Sequence, residues 1–167
     1  MSEQDNAAAA GQAQFGMHKI YVKDVSFEAP NSPAVFAGEW RPDADIKLNT
    51  GASDLGEGRY EVVLTATVTL KVGEQVAFLV EVAQAGLFQI TGVPKEQLGP
   101  VLGIHCPTIL YPYAREAVSD LIGKGGFPQL LLAPVDFQSL YMQQAGRGAQ
   151  AGSPAASGAG TEGNPAG

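Results

Sequence analysis

His105 and Cys106 are the residues of this chain best suited by type to nucleophilic chemistry. An imidazole that takes a thiol's proton makes the thiolate the attacking group, but the two side chains must meet in space. Neighbours in sequence usually point apart on a strand or helix, so the pair reads as a buried thiol beside a partly buried imidazole. His18 is the only other histidine and Cys106 the only cysteine. One cysteine and two histidines offer no metal-ligand spacing. Glu116 and Asp120 form the one close helical carboxylate pair, and at four-residue spacing they are like charges on a solvated helix face. The glycines make neither a phosphate-binding loop nor a dinucleotide fingerprint. No catalytic residue set, metal or cofactor is implied, so a binding protein ranks above an enzyme.

Charge narrows the partners. Ten Lys and Arg stand against seventeen Asp and Glu, a net charge of −7. Between Met17 and Gln144 there are nine basic and fourteen acidic residues, a balance of −5. Such a chain is a poor general ligand for nucleic acid, because phosphate contacts need Lys and Arg. It suits a basic partner better. A single cysteine excludes an internal disulfide, which fits a reducing compartment. The N-terminus shows no basic segment followed by an apolar core, and no stretch approaches the roughly twenty apolar residues of a spanning helix. The expectation is a soluble, cytoplasmic protein without membrane insertion.

The elements that must position any site are organised around Tyr60 to Ile90. From Tyr60 to Val72 every even position is apolar, while the odd ones are mostly polar or β-branched. This is the period-two signature of a strand with one buried face. A second run follows Gly73-Glu74, with Val76, Phe78, Val80, Val82, Phe88 and Ile90 on one face. The two should form an antiparallel hairpin. A plain two-residue loop would set the even face of one strand against the odd face of the next. Parity therefore predicts a three-residue loop, Gly73 to Gln75, or a β-bulge just beyond.

His18 to Pro30 reads as a first strand, with Tyr21, Val25 and Phe27 on one face and Val22, Asp24, Ser26 and Glu28 on the other. Pro30 and Pro33 end it, since proline cannot donate to a ladder. Asn31 to Ala37 reads as a loop or crossover. Ile46, Leu48 and Thr50 suggest another strand, and Gly51 to Gly58 a turn region. Pro94 to Gln97 looks like a short helical turn that Gly99-Pro100 interrupts. From Ile109 the spacing becomes helical: Ile109, Tyr113, Ala117 and Leu121 form one apolar row, and Leu110, Ala114, Val118 and Ile122 the next. Pro112 belongs in the first turn or else kinks the helix. Asp136 reads as the N-cap of a short last helix. Strands first and helices afterwards predict an α+β fold, a four-stranded antiparallel sheet with two C-terminal helices packed on one face. Residues 1–16 and 145–167, poor in apolar periodicity, read as disordered tails flanking a domain at 17–144.

Four runs then resemble one family. Tyr21 to Asn31 (YVKDVSFEAPN), Ala77 to Val82 (AFLVEV), Pro112 to Glu116 (PYARE), and Gly126 to Leu130 with Leu132 to Val135 (GFPQL, LAPV) are similar to the SecB family of bacterial cytoplasmic export chaperones. They occur in family order between Met17 and Gln144. The Ala/Gly-rich C-terminal stretch departs most from the family. The resemblance implies an ATP-independent holdase that keeps secretory precursors unfolded and passes them to SecA, the translocase motor. It also implies a dimer of dimers, with long helices sandwiched between two larger sheets. Ile109, Tyr113, Ala117, Val118 and Leu121 are then the expected subunit interface, since their stripe is wider than one sheet face needs. Family clients bind in long apolar grooves. Trp40, Leu48, Phe127, Phe137, Leu140 and Tyr141, outside the main alternating core, are expected to border such a groove.

SecA is expected on the outer sheet face, at Asp24, Glu28, Leu79 and Glu81. Parity turns all four away from the helices. The resemblance assigns motor binding to the matching acids of the first strand and the Leu-x-Glu of the fourth. The family's motor carries a basic, zinc-holding C-terminal segment, so the reason is charge complementarity. A rival reading is a small-ligand or lipid carrier whose pocket Trp40, Phe127, Phe137 and Tyr141 line. Slowed precursor refolding favours the chaperone; a tight small-molecule complex without that effect favours the carrier.

Overall fold

A computed structural model describes residues 12–151, with side chains described for 12–147. Four strands, β1 (Gln14–Glu28), β2 (Pro42–Gly56), β3 (Arg59–Val72) and β4 (Gln75–Thr91), precede three helices, α1 (Lys95–Pro100), α2 (Cys106–Lys124) and α3 (Phe137–Ala151). The sheet is antiparallel throughout, in the order β1-β4-β3-β2. β1 and β2 are thus opposite edges, and the segment between them, with a short 3-10 turn at Ala34–Phe36, is a crossover. β1 begins at Gln14 and α3 continues to Ala151, so ordered elements reach into both expected tails. The rest of those tails lies outside the described residues.

The alternation in β3 places Val62, Leu64, Ala66, Val68 and Leu70 in the core. Phe78, Val80, Val82, Phe88 and Ile90 of β4 join them, under Leu110, Ala114, Val118 and Ile122 of α2. Each large side chain fully buried there contributes about 1.5–3 kcal/mol. The parity problem at the β3–β4 hairpin is solved by a bulge. Val72 pairs with Gln75 and Lys71 with Val76, but Leu70 pairs with Phe78, leaving Ala77 extra. The loop is the two-residue Gly73-Glu74, with Gly73 at φ 62°, rather than a three-residue loop. Val76 consequently leaves the core face for that of Lys71. Its carbonyl accepts a hydrogen bond from Asn31 Nδ2 at 2.9 Å, tying the crossover to the bulge.

Bulges also correct the reading of β1. Register shifts at His18 and Lys23 swap the faces between them. Tyr21, expected beside Val25, turns to the outer face opposite Ala85, and Val22 turns towards the helices opposite Gln84. Gln84, buried in the core, donates its Nε2 to the Tyr21 carbonyl at 3.1 Å, so the irregular backbone keeps a partner. β2 runs through Gly51 to Gly56, where a turn was expected. Small and polar residues there still pair in full register with β3, from Gly51 opposite Val63 to Asp54 opposite Tyr60. Ladder pairing overrides their weak strand propensity.

Nor does Gly99-Pro100 interrupt the helical run. Residues 95–124 stay helical through a π turn at Val101–His105, in which the Cys106 N–H bonds the Val101 carbonyl. Pro100 and Pro107 cannot donate to the carbonyls four residues back, and the wider turn between them absorbs the mismatch. Pro112 lies beyond the first turn of α2, on its exposed side. Asp136 caps α3 as expected: Oδ1 accepts from the N–H groups of Gln138 and Ser139 at 3.1 and 3.3 Å.

Candidate functional site

Three surfaces gather the residues singled out above. On the outer sheet face, Asp24 is opposite Ala83, Ser26 opposite Glu81, and Glu28 opposite Leu79. Regular alternation after the Lys23 bulge sets these side chains on one face. Asp24, Glu28 and Glu81 are exposed and Leu79 is half-buried. A shallow depression of about 160 Å³ is lined by Ser26, Glu28, Thr67, Leu79, Val80 and Glu81. Thr67 Oγ1 donates to Glu81 Oε2 at 3.0 Å. None of the ion pairs among the described residues involves Asp24, Glu28 or Glu81. The patch therefore offers three uncompensated carboxylates around one apolar side chain, a surface suited to a basic segment with an apolar residue.

Further along the same face, Glu61 receives both the Tyr21 hydroxyl and the Lys23 ammonium, the latter at 2.6 Å. Lys23 first, then Tyr21, hold its carboxyl below the usual carboxylate range. The same hydrogen bond, with burial, pushes the Tyr21 hydroxyl up to about 12. The sequence reading missed this trio, because only the Lys23 bulge turns Tyr21 outward.

The expected groove residues divide between two places. Trp40 and Phe127 belong to an aromatic cluster at the crossover, with ring centroids 6.1 Å apart. Phe36 and Phe78 each lie 5.0 Å from Phe127. Phe127 is itself buried, while Trp40 is 37% and Phe36 50% exposed. Leu48 and Leu140 meet elsewhere, across a cleft of about 380 Å³ between β2 and α3 that Ile46, Pro134 and Val135 also line. Tyr141 borders an adjoining cleft with Thr50, Ala52, Gly99 and Gly103. Phe137 is buried, its ring edge-on to Tyr111 at 5.7 Å. Phe36, Ile46, Pro134 and Val135 are lining residues that the expected set lacks. The signal for Ile46 was its place on the apolar face of the Leu48 strand.

The third surface is the outer row of α2. Ile109, Ala117 and Leu121 are half-buried and Tyr113 is 49% exposed, so this row has apolar area to spare. Val118 does not share it: it is wholly buried in the sheet-facing row with Leu110, Ala114 and Ile122. Asp120 is paired with Lys124 at 2.5 Å, and Glu116 is left on the solvated side.

Residues 8–148 match the family described as preprotein translocase subunit SecB. A protein-export protein SecB of Methylococcus capsulatus is 54% identical over 144 residues, covering 86% of this chain and 93% of its own. The chain belongs to the SecB family. The corresponding protein of Chromobacterium violaceum is 51% identical over 152 residues, covering 91% of this chain and 99% of its own. The fold is shared with the Mycobacterium tuberculosis SecB-like chaperone Rv1957, solved in complex with a ChAD peptide from the HigA1 antitoxin. That match has a TM-score of 0.61 and 21% identity, over 77% of this chain and 94% of the other.

In this SecB-family chain His105 and Cys106 face different surroundings. Cys106 is buried in the core, whereas exposed His105 meets the Phe15 ring edge at 4.8 Å. Burial pushes the Cys106 thiol up to about 12. No group of three His, Cys, Asp or Glu able to hold a metal occurs among the described residues. No described helix is long and apolar enough to cross a membrane. At pH 8, alkylation of Cys106 in the native chain should run at least about a hundredfold slower than in urea, because the thiolate is the nucleophile. Equal rates in both conditions would contradict its burial.

Proposed function

We propose that this chain is an ATP-independent export chaperone of the cytoplasm that holds unfolded secretory precursors and delivers them to SecA. The observation that carries the reading is the SecB family match across residues 8–148. The apolar cleft of Ile46, Leu48 and Leu140 and the exposed Trp40 and Phe36 supply area for an unfolded chain's apolar side chains. A ligand that prefers the unfolded state retains its client there by mass action, which needs no nucleotide. The assembly is a homotetramer, a dimer of dimers, held in part by the outer row of α2. SecA docks on Asp24, Glu28, Leu79 and Glu81, where uncompensated carboxylates steer a basic segment and Leu79 adds a small apolar anchor.

Two measurements test this reading. Stoichiometric chain should slow the refolding of a denatured secretory precursor; unaltered refolding together with a tight lipid complex would instead make it a carrier. Glu28→Lys and Glu81→Lys should each weaken SecA binding several-fold, more so at low salt, because exposed charges are screened over about 8 Å at physiological strength. Stability and precursor binding should barely change, as exposed charge changes usually shift stability by less than about 0.5 kcal/mol. Wild-type SecA affinity in both reversals at low salt would remove the outer-face assignment.

A further inference from the structure

Lys23 is the basic residue nearest in sequence to the acidic patch, adjacent to Asp24 and five residues before Glu28. The bulge turns it and Asp24 to the same outer face. Lying over Asp24, its ammonium would neutralise part of the patch. It points the other way, to Glu61 Oε1 at 2.6 Å. Glu61 is opposite Leu87, six residues up β4 from Glu81. At about 3.3 Å per residue that is ~20 Å along the strand from Glu81 and ~13 Å from the row of Asp24, which is opposite Ala83.

The Glu61 carboxylate is fixed from two sides. Oε1 takes Lys23, and Oε2 takes the Tyr21 hydroxyl. Its side chain is 17% exposed, against 49% for Lys23. Tyr21 and Asp24 can both face outward only because the bulge inserts one residue between them. The irregularity in β1 therefore builds the holder and sets the direction in which Lys23 leaves the patch.

We infer that Glu61 is a positioning residue for the docking surface: by holding Lys23 it keeps Asp24, Glu28 and Glu81 free of an intramolecular counter-ion. The inference rests on SecA docking at that patch. Glu61 itself lies outside the docked area and acts through Lys23. Tyr21 serves by orienting the carboxylate.

The experiment measures SecA affinity of the full-length chain at low salt for E61Q, K23M, the double variant and E57Q. Glu57, in the β2–β3 turn, pairs with Arg59 at 3.4 Å at the far end of the sheet, so E57Q makes the same charge change remotely. E61Q should bind about threefold weaker or worse, K23M no weaker than wild type, the double variant like K23M, and E57Q like wild type. A general loss of folding in E61Q would not be repaired by removing Lys23, so recovery in the double variant separates positioning from damage. E61Q binding like wild type, a double variant as weak as E61Q, or E57Q as weak as E61Q would each overturn the inference. E28K and E81K run alongside: wild-type affinity in both removes the docking reading, and this inference with it. Weak binding in both with normal binding by E61Q removes this inference alone.

Discussion

Val118→Asp is expected to unfold the chain, whereas Ala117→Asp is expected to leave it folded and lower its mass in solution. The two residues are neighbours in sequence on different rows of α2. Val118 is fully buried, in line with Leu110, Ala114 and Ile122 beneath the sheet. A carboxylate there has no water and no cation, a cost of several kcal/mol. That consumes much of the 5–15 kcal/mol by which a domain of this size is usually stable. Ala117 lies on the row of Ile109, Tyr113 and Leu121, half-open in the single chain. A charge there can stay hydrated in the monomer and is penalised only when a second subunit covers it. Urea midpoints and sedimentation mass separate the outcomes. A wild-type midpoint for Val118→Asp would contradict the core described here. A wild-type mass for Ala117→Asp would take this row out of the interface.

That contrast also shows how far the sequence can be read. Two apolar rows on one helix are visible from spacing alone, but spacing does not say which row meets its own sheet. The even positions of β3 were legible because a central strand covered on one face must alternate. β1 was half-legible. The acids after Lys23 alternate regularly, and Asp24, Glu28, Leu79 and Glu81 share a face as parity requires. Before Lys23 the bulges reverse the order, and no residue type announces them. The contact of Tyr21 and Lys23 with Glu61 spans about forty residues of sequence and hangs on one such bulge. β2 was hidden for another reason. Gly51 to Gly56 carries turn-like residues, and its strand character comes from the neighbouring ladder. Large aromatics were visible as important, but type alone did not divide the buried anchors Phe127 and Phe137 from the exposed Trp40.

Gly103→Ala is expected to loosen α3, although the same change in an open helix stabilises by about 1 kcal/mol. A Cβ on Gly103 would lie 2.5 Å from Tyr141 Cδ2, and one on Gly99 would lie 2.7 Å from the Tyr141 hydroxyl. The two glycines form a notch into which the Tyr141 ring fits. One turn earlier, at its N-terminus, α3 is held by buried Phe137 against Tyr111. Filling the notch displaces the ring and the part of α3 behind it, while the Phe137 end stays. Overpacking of this kind costs about 1–3 kcal/mol, enough to reverse the sign expected from helix propensity. Leu140, one wall of the apolar cleft, rides on the same helix, so precursor affinity should shift several-fold and amide exchange over residues 138–147 should quicken. A double-mutant cycle isolates the cause. With Tyr141→Ala in place the obstruction is gone, and Gly103→Ala should become neutral or stabilising. An equal cost with and without the Tyr141 ring would mean that the notch does not seat α3, and that the cleft owes its wall to other contacts.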